Sequence, residues 1–229
     1  MKQFFALLSL VFSLSFTQAQ SVDDIINLNT TAMGGKDKLA SLKSVKMSGS
    51  MSARGNDIPL SISKLQMKGF RLDLEMMGTA YYQIVNNTAG WTFMPGMPEA
   101  KEMPADQLTN MSGMFDIPGG LFDYKAKGST AELLGKEKLE AGEAYKIKLI
   151  NKSGKSTVYF IDAATNRLIK VQTKISFNGQ DIDAETSFGD YKQNKDGYWF
   201  PYSVTSRQGV TVFDSIDTNI PMDEKLFTN

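Results

Sequence analysis

The feature that most constrains the fold is a switch to period-two hydrophobicity near residue 45, which then recurs along most of the chain. In the stretch VKMSGSMSA, Val45, Met47 and Met51 share one face of a strand, while a lysine and serines share the other. One buried face and one hydrated face are typical of an antiparallel sheet. Similar runs, separated by turn sequences such as KSGK, ATNR, FNGQ and KDGY, predict about eleven strands in one large curled sheet.

Two helices are predicted before the first strand. Ser21 can cap the first helix, with Asp24 reaching back from three residues on, and the glycine pair at 34–35 ends it. A short second helix is predicted around Leu39 and Leu42. Both helices are available to cover one face of the sheet.

The predicted second strand contains a break in its alternation. Leu60 and Ile62 have one parity, whereas Leu65 and Met67 have the other. Because a β-bulge inserts one residue into a strand, a bulge is predicted at this point. Bulges also bend sheets, which agrees with a curled architecture.

The residue types that the chain lacks exclude several kinds of site. The sequence contains no histidine and no cysteine, so it offers no Ser-His-Asp or Cys-His nucleophile and no site with those zinc ligands. Its 25 basic and 25 acidic residues cancel, which argues against a nucleic-acid partner. We predict no cofactor and no metal, and an enzyme would have to use carboxylates, lysine, tyrosine or hydroxyls.

The first residues have the pattern of a secretory signal peptide. An apolar run follows Lys2 and ends at Phe16, which is too short to span a bilayer, and small residues then lead to a cleavage site after Ala19. We therefore expect residues 1–19 to be removed and residues 20–229 to form one soluble domain in the periplasm. A lipid anchor is not expected, since no cysteine is available to carry it.

Residues 94–115 interrupt the strand pattern with the methionine- and proline-rich segment MPGMPEAKEMPADQLTNMSGMF. From Pro104, which suits the first turn of a helix, Leu108, Met111 and Phe115 recur at helical spacing. Two interpretations stay open for these side chains: they pack as ordinary core against the sheet, or they form a lid that contacts a ligand. Methionine suits a lid because its polarizable, flexible side chain adapts to different partners.

Several stretches, in their order along residues 21–229, carry a family resemblance: GGKDKLASLKSVKMSGSM, VNNTAGWTFMPGMPEAKEMP, YFIDAATNRLIKVQTKI, GDYKQNKDGYWFPYSV and TNIPMDEKLF. Together they resemble the outer-membrane lipoprotein carrier family, the LolA-like proteins of the bacterial periplasm. The resemblance implies a mainly β fold, a half-open barrel with helices capping its concave face, that binds acyl chains of lipoproteins or of other lipids. It points to an inner-membrane releasing complex and an outer-membrane acceptor as candidate partners, and we expect a monomer.

The resemblance also implies where the ligand binds. It makes the Met-rich segment a lid over a hydrophobic cavity, and the residues implied to line cavity and lid are Leu72, Tyr82, Trp91, Phe93, Met94, Met97, Leu108, Met111, Met114 and Phe115. In the resembling carriers an arginine near the mouth latches the lid, but that place falls on or near Gly69 here. The latch is therefore not carried over, and Arg71 is expected to be a solvated strand residue.

An acidic row, Asp181, Asp183 and Glu185, alternates along one predicted strand and could bind calcium or act as an acid–base pair. A two-residue turn at residues 178–179 would instead pair Lys174 with Asp183 and leave the row on the hydrated face. The function predicted from the sequence is a non-enzymatic periplasmic carrier of acyl-chain ligands in outer-membrane lipoprotein sorting. Two alternatives remain, a periplasmic sensor of lipidated or misfolded envelope proteins and an enzyme built on carboxylates.

Overall fold

The structure is a computed structural model that describes residues 20–76, 78–111, 113–140, 142–177 and 180–229. The predicted signal peptide and the predicted turn at residues 178–179 lie outside the described residues. In the described part of the chain, no helix has the length and the apolar character that crossing a membrane requires.

The described elements are three α-helices, thirteen strands and a C-terminal 3-10 helix. Their bounds are α1 Val22–Ala32, α2 Lys36–Ala40, β1 Ser44–Ala53, β2 Asn56–Leu65, β3 Gly69–Met76, β4 Thr79–Asn86, β5 Gly90–Phe93, β6 Lys101–Glu102, α3 Ala105–Met111, β7 Thr130–Leu139, β8 Gly142–Ile150, β9 Ser156–Asp162, β10 Leu168–Phe177, β11 Gln180–Gln193, β12 Trp199–Ser206, β13 Gly209–Thr218 and the 3-10 helix Glu224–Phe227.

All the strands belong to one antiparallel sheet in the order β6-β5-β4-β3-β2-β1-β13-β12-β11-β10-β9-β8-β7. The predicted mainly β fold with a single curled sheet is confirmed. The prediction was about eleven strands, whereas the sheet has thirteen. Strand β6 was not predicted because two residues are too short to show a period; it is defined by pairing of Lys101 and Glu102 with β5.

Helix α1 begins where the sequence predicts. The Ser21 hydroxyl accepts a hydrogen bond from the Asp24 amide at 3.1 Å, and the Asp24 carboxylate accepts one from the Ser21 amide at 3.0 Å. This reciprocal capping satisfies amides that the helix itself leaves free. Ile25 and Ile26 on the same helix are buried against the sheet, so α1 is fixed at its start and along one side.

The sheet has two faces that are covered differently. The inner face, which contains Val45, Phe70 and Val85 on strands β1, β3 and β4, is covered by the three α-helices and by residues 113–128, called the central segment below. The outer face contains the opposite parity, with Arg71 and Tyr82 on β3 and β4. The C-terminal 3-10 helix packs on this outer face.

The central segment connects all three hydrophobic cores of the inner face. Phe115 is buried with Phe70 and Val85, whereas Leu121 and Tyr124 are buried with α1. A third core around α2 and β1 receives Ile117 and Phe122 of the same segment. The sheet has two arms, strands β1 to β6 and strands β7 to β13, which meet where β1 pairs with β13. The two arms are therefore held together through one stretch of chain without regular structure.

The position of α3 shows how strongly the sheet curls. Its Leu108 lies against Gly90 of β5, and the same helix lies against β10 in the other arm. In a flat sheet β5 and β10, eight strand spacings apart, would be separated by about 38 Å, while seven helical residues span about 10 Å. Both contacts are possible only because the arms bend toward each other, so α3 bridges the opening of the inner face.

The bulge predicted in the second strand is wrong. Strand β2 pairs in unbroken register with β1 and with β3. Register shifts occur instead in the pairings of β1 with β13, of β9 with β10 and of β7 with β8. The alternation slips because Lys64 occupies an inner-face position, directly opposite Val45 and Phe70. The break in the apolar alternation therefore comes from a lysine at an inner-face position and not from a shift of register.

Candidate functional site

A group of apolar side chains on β2, β3, β4, α3, the connection before α3 and the central segment forms the candidate site, called the lid cluster below. Its buried members are Phe70, Val85, Met103 and Phe115, and its half-buried members are Ile62, Leu72, Leu108 and Met111. Four of the residues implied by the family resemblance, Leu72, Leu108, Met111 and Phe115, therefore come together. Helix α3 ends at Met111, so Phe115 joins the cluster from the turn that follows the helix.

Helix α3 packs closely on strand β5 at Gly90, where no side chain separates them. A Cβ atom at this position would lie 2.8 Å from the Met103 sulfur and 3.2 Å from Leu108 Cδ1. Both distances are shorter than ordinary van der Waals contacts, so a larger residue would require the Met103 and Leu108 side chains to move. At the other end of α3, Lys155 Nζ lies 3.5 Å from Asn110 Oδ1.

The other implied residues lie elsewhere. Tyr82, Trp91 and Phe93 are on the outer face, where the rings of Tyr82 and Phe93 stack with centroids 5.2 Å apart. Met94 and Met114 are exposed, and Met97 is half-buried outside the lid cluster. The structure thus does not bring these residues together with Leu72, and the aromatic side chains of β4 and β5 lie on the face of the sheet opposite the lid.

The inner face beside the lid cluster is apolar but incompletely covered. Half-buried side chains continue it along the middle of the sheet: Met47, Met51, Leu74, Tyr202 and Val204. Fully packed cores leave few such side chains in partial contact with solvent. Incomplete cover over a continuous apolar surface is what a protein needs if a hydrophobic ligand is to reach it.

Lys64 is a charged residue of this surface. Its ammonium lies 6.0 Å from the centre of the Phe70 ring, and none of the ion pairs among the described residues includes it. Burial lowers the pKa of Lys64 from 10.5 to about 8, while the Asp116 carboxylate opposes this shift through its charge. Desolvation therefore exceeds the compensation that nearby groups supply.

Asp116 does not neutralise Lys64, because other groups already bind both of its oxygens. Lys127 Nζ donates to Oδ2 at 2.6 Å, and Gln66 Nε2 donates to Oδ1 at 3.2 Å. Burial, and to a lesser extent the charge of the same carboxylate, raises the pKa of Tyr159 on β9 to about 12. Among the described residues, the two ammonium groups of Lys64 and Lys127 therefore share one carboxylate, that of Asp116, and a positive charge is left over.

The acidic row behaves as the predicted register requires. Lys174 lies opposite Asp183, Ile175 opposite Ile182 and Gln172 opposite Glu185 in the pairing of β10 with β11. The carboxylates of Asp181, Asp183 and Glu185 are exposed, and Gln172 Nε2 donates to Glu185 at 2.8 Å. Within the described residues, no group of acidic side chains is close enough to hold a metal ion.

Cavities open on the surface of the part of the chain that the structure describes, and two of them are considered below. One of about 660 Å³ lies beside α3 and contains the acidic row, Lys155 and Asn110, and another of about 550 Å³ lies between α1 and residues 122–125. Neither is lined by a member of the lid cluster.

Solved structures share this architecture over nearly their whole length. An outer membrane lipoprotein-sorting protein domain from Vibrio parahaemolyticus has a TM-score of 0.57 and 16% identity, with 90% of this chain and 95% of that chain covered. A LolA superfamily protein from Nitrosomonas europaea has a TM-score of 0.57 and 11% identity, with 90% and 97% covered. The chain has a LolA-like fold.

A further structure with the LolA-like fold, a DUF1329 family protein from Desulfovibrio piger, has a TM-score of 0.60 and 11% identity, with 91% of this chain and 97% of that chain covered. No family model and no curated protein matches the sequence. What this chain shares with these proteins is the fold.

The position where the family resemblance would place a latch arginine, at or near Gly69, packs against the C-terminal 3-10 helix in this LolA-like fold. Gly69 faces outward, and a Cβ atom there would lie 2.4 Å from Phe227 of the 3-10 helix, so the glycine makes room for this ring. Arg71 is not the solvated residue predicted: its guanidinium donates to Asp73 at 2.8 Å and lies 5.1 Å from the centre of the Tyr82 ring. These residues fasten the C-terminus to the outer face.

The sequence predictions missed Lys64, Asp116 and Gln66 as parts of the inner surface. For Lys64 a signal existed, because the slip in alternation between Ile62 and Leu65 places a lysine at an inward position if no bulge is assumed. For Asp116 and Gln66 no periodic signal exists, since both lie outside strands and helices.

Proposed function

We propose that the protein is a non-enzymatic carrier or binder of acyl-chain ligands in the periplasm, acting in outer-membrane lipoprotein sorting. The observation that carries the proposal is the bridging of the inner face by α3, a short helix that rests on flexible apolar side chains. Under it lies a continuous apolar surface that includes Leu72 and Phe70. The LolA-like fold supports the same proposal, since two similar structures bear the names of lipoprotein-sorting and LolA superfamily proteins.

In this proposal α3 is a lid that an acyl chain displaces. Leu108 and Met111 leave the lid cluster, and the methylenes of the ligand replace them against Leu72 and Phe70. The exchange is favourable because each methylene removed from water contributes about 0.8 kcal/mol. Methionine side chains adapt to the new contact with little loss, since their torsions are soft.

A charge in the lid should weaken ligand binding. We expect Met111→Asp to lower the affinity for the neutral fluorescent probe N-phenyl-1-naphthylamine about tenfold, because an unpaired carboxylate opposes burial of an apolar ligand beside it. Fluorescence titration measures the affinity, and thermal melting of the same sample checks that the sheet is folded.

The matched control is Val212→Asp, since Val212 is an exposed residue on the outer face of β13. This variant should bind the probe as the wild type does. If Met111→Asp also binds and melts like the wild type, α3 is not a lid. If Met111→Asp melts far below the wild type, Leu72→Ser, which changes the sheet side of the same surface, replaces it in the titration.

The proposed location makes a separate prediction about processing. We expect the mature protein to begin at or near Gln20 and to be recovered in the soluble periplasmic fraction, because residues 1–19 match a cleaved signal peptide. N-terminal sequencing of the purified protein measures this. Recovery of the uncleaved chain in a membrane fraction that resists salt and carbonate would contradict it.

A further inference from the structure

Lys64 is a cationic residue on the inner face of the sheet that the proposed function does not use. Lys64 stands in a row whose other members, Val45, Phe70 and Val85, are buried and apolar. A carrier of neutral acyl chains would be served better by a leucine or methionine there, because a charge among apolar groups is costly unless it is paired. Buried charges that the fold does not pair are found preferentially at binding sites.

The surroundings leave the Lys64 ammonium available to a ligand. The ammonium lies 6.0 Å from the centre of the Phe70 ring, and among the described residues no carboxylate forms an ion pair with it. The charge of Asp116 favours the protonated form of Lys64, but the Asp116 carboxylate already accepts hydrogen bonds from Lys127 at 2.6 Å and from Gln66 at 3.2 Å. An incoming anion would therefore meet a cation whose charge is not already balanced.

Lys64 also lies at the edge of the surface that α3 covers. Its cross-strand neighbour Phe70 and its neighbour along the strand, Ile62, both belong to the lid cluster with Leu108 and Met111. A ligand with its chain in the place of these lid residues would have its head within reach of the ammonium. The arrangement of a long apolar surface ending at a cation fits an amphiphile with an anionic head.

We propose that Lys64 binds the anionic head of an acidic amphiphile, a carboxylate or a phosphate, whose acyl chain lies under α3. This inference rests on the proposed acyl-binding function and names the class of ligand. A charge-assisted hydrogen bond from the ammonium to the head group supplies the selectivity for acidic over neutral lipids.

Competition against a neutral probe tests the two proposals separately. N-phenyl-1-naphthylamine reports on the acyl-binding surface, and decanoate, decyl phosphate and decanol compete for it with chains of equal length and different heads. We expect wild-type protein to bind decanoate or decyl phosphate about tenfold more tightly than decanol, a factor typical of a charged hydrogen bond. The more effective of the two anions distinguishes a fatty-acid head from a phosphate head.

Three variants locate the effect. Lys64→Met should abolish the preference for anions while it still binds the probe and decanol, Lys64→Arg should keep the preference, and Lys46→Met, at an exposed outer-face position of β1, should behave as wild type. If the wild type binds the probe and shows the same affinity for all three competitors, the head-group inference is wrong and the carrier proposal stands. If wild type does not bind the probe, the carrier proposal itself fails.

Two further outcomes would also overturn the inference. Loss of probe binding in Lys64→Met together with a lower melting temperature would show that Lys64 has a structural role. Retention of the anion preference in a folded Lys64→Met protein would place the head group at another cation, and Lys127→Met in the same assay would then show whether that cation is Lys127.

Discussion

Truncation of Phe115 to alanine is expected to lower the free energy of unfolding by about 3 to 5 kcal/mol, the range for large-to-small changes at buried phenylalanines. Phe115 is 3% exposed and packs with Phe70 and Val85, so its removal leaves a cavity in the lid cluster. Its backbone also holds the central segment to the sheet, since its carbonyl accepts a hydrogen bond from the Met67 amide at 3.1 Å. Urea denaturation followed by circular dichroism measures the change.

The neighbouring residue provides the control for this variant. Met114 is 44% exposed, so Met114→Ala should change the stability by less than about 0.5 kcal/mol. Equal effects of the two substitutions would show that the central segment does not have the packing described. A cooperative loss of stability in Phe115→Ala alone would assign Phe115 to the core, which decides for this residue between the two interpretations that its sequence context leaves open.

Replacement of Lys64 by methionine is expected to stabilise the protein. Burial lowers the pKa of Lys64 from 10.5 to about 8, and a shift of this size corresponds to about 3 kcal/mol of destabilisation at pH 7 when the group is fully desolvated. Because Lys64 is only half-buried, solvent screening reduces the expected gain in Lys64→Met to about 1 to 3 kcal/mol. Chemical denaturation at pH 7 measures the gain.

The stabilisation should depend on pH in a defined direction. Between about pH 8 and pH 10.5 the folded wild type has released the Lys64 proton and the unfolded chain has retained it, so wild-type stability rises with pH. The advantage of Lys64→Met is therefore complete below about pH 8 and disappears near pH 10.5. Asp116 and Lys127 are present in both proteins, and Tyr159, with its pKa raised to about 12, titrates above this window.

Lys46→Met serves as the control, because Lys46 is exposed on the outer face and its replacement should change stability by less than about 0.5 kcal/mol at every pH. A loss of stability in Lys64→Met, comparable to that of a core cavity, would show that the ammonium contributes to folding. A gain would instead identify Lys64 as a residue retained at a cost to stability, which is the behaviour expected of a binding residue.

The parts of the fold that local chemistry determines could be predicted from the sequence. The capping of α1 by Ser21 and Asp24 depends on residues three positions apart. The register of β10 with β11 follows from cross-strand preferences near one turn, and Lys174 pairs with Asp183 as those preferences require. Neither feature depends on how distant parts of the chain pack.

The face to which the aromatic residues belong could not be predicted in this way. Alternation shows that Tyr82 and Ile84 share a face, but it does not show which face is covered by α3. Both faces of β4 are apolar because the lid cluster buries Val85 on one side while the 3-10 helix covers the other, where Ile84 is 1% exposed. Because the C-terminal 3-10 helix that covers the outer face of β4 is distant in sequence, the sequence of β4 does not show that this face is covered.

The strand order has a consequence for how the chain reaches its native state. Strands β2 to β6 and β7 to β12 each pair with neighbours in sequence, but β1 pairs with β13, so that Val45 lies opposite Thr218 in the middle of the sheet. Closing so long a loop has a high entropic cost before any contact is formed, and non-local pairing of this kind slows folding. The two arms can therefore assemble early as separate meanders. The pairing of β1 with β13, which is the seam between the arms, forms only when the last strand of the chain is available. Until that seam closes, the arms expose unpaired strand edges, and the newly made protein is most prone to aggregate during this interval.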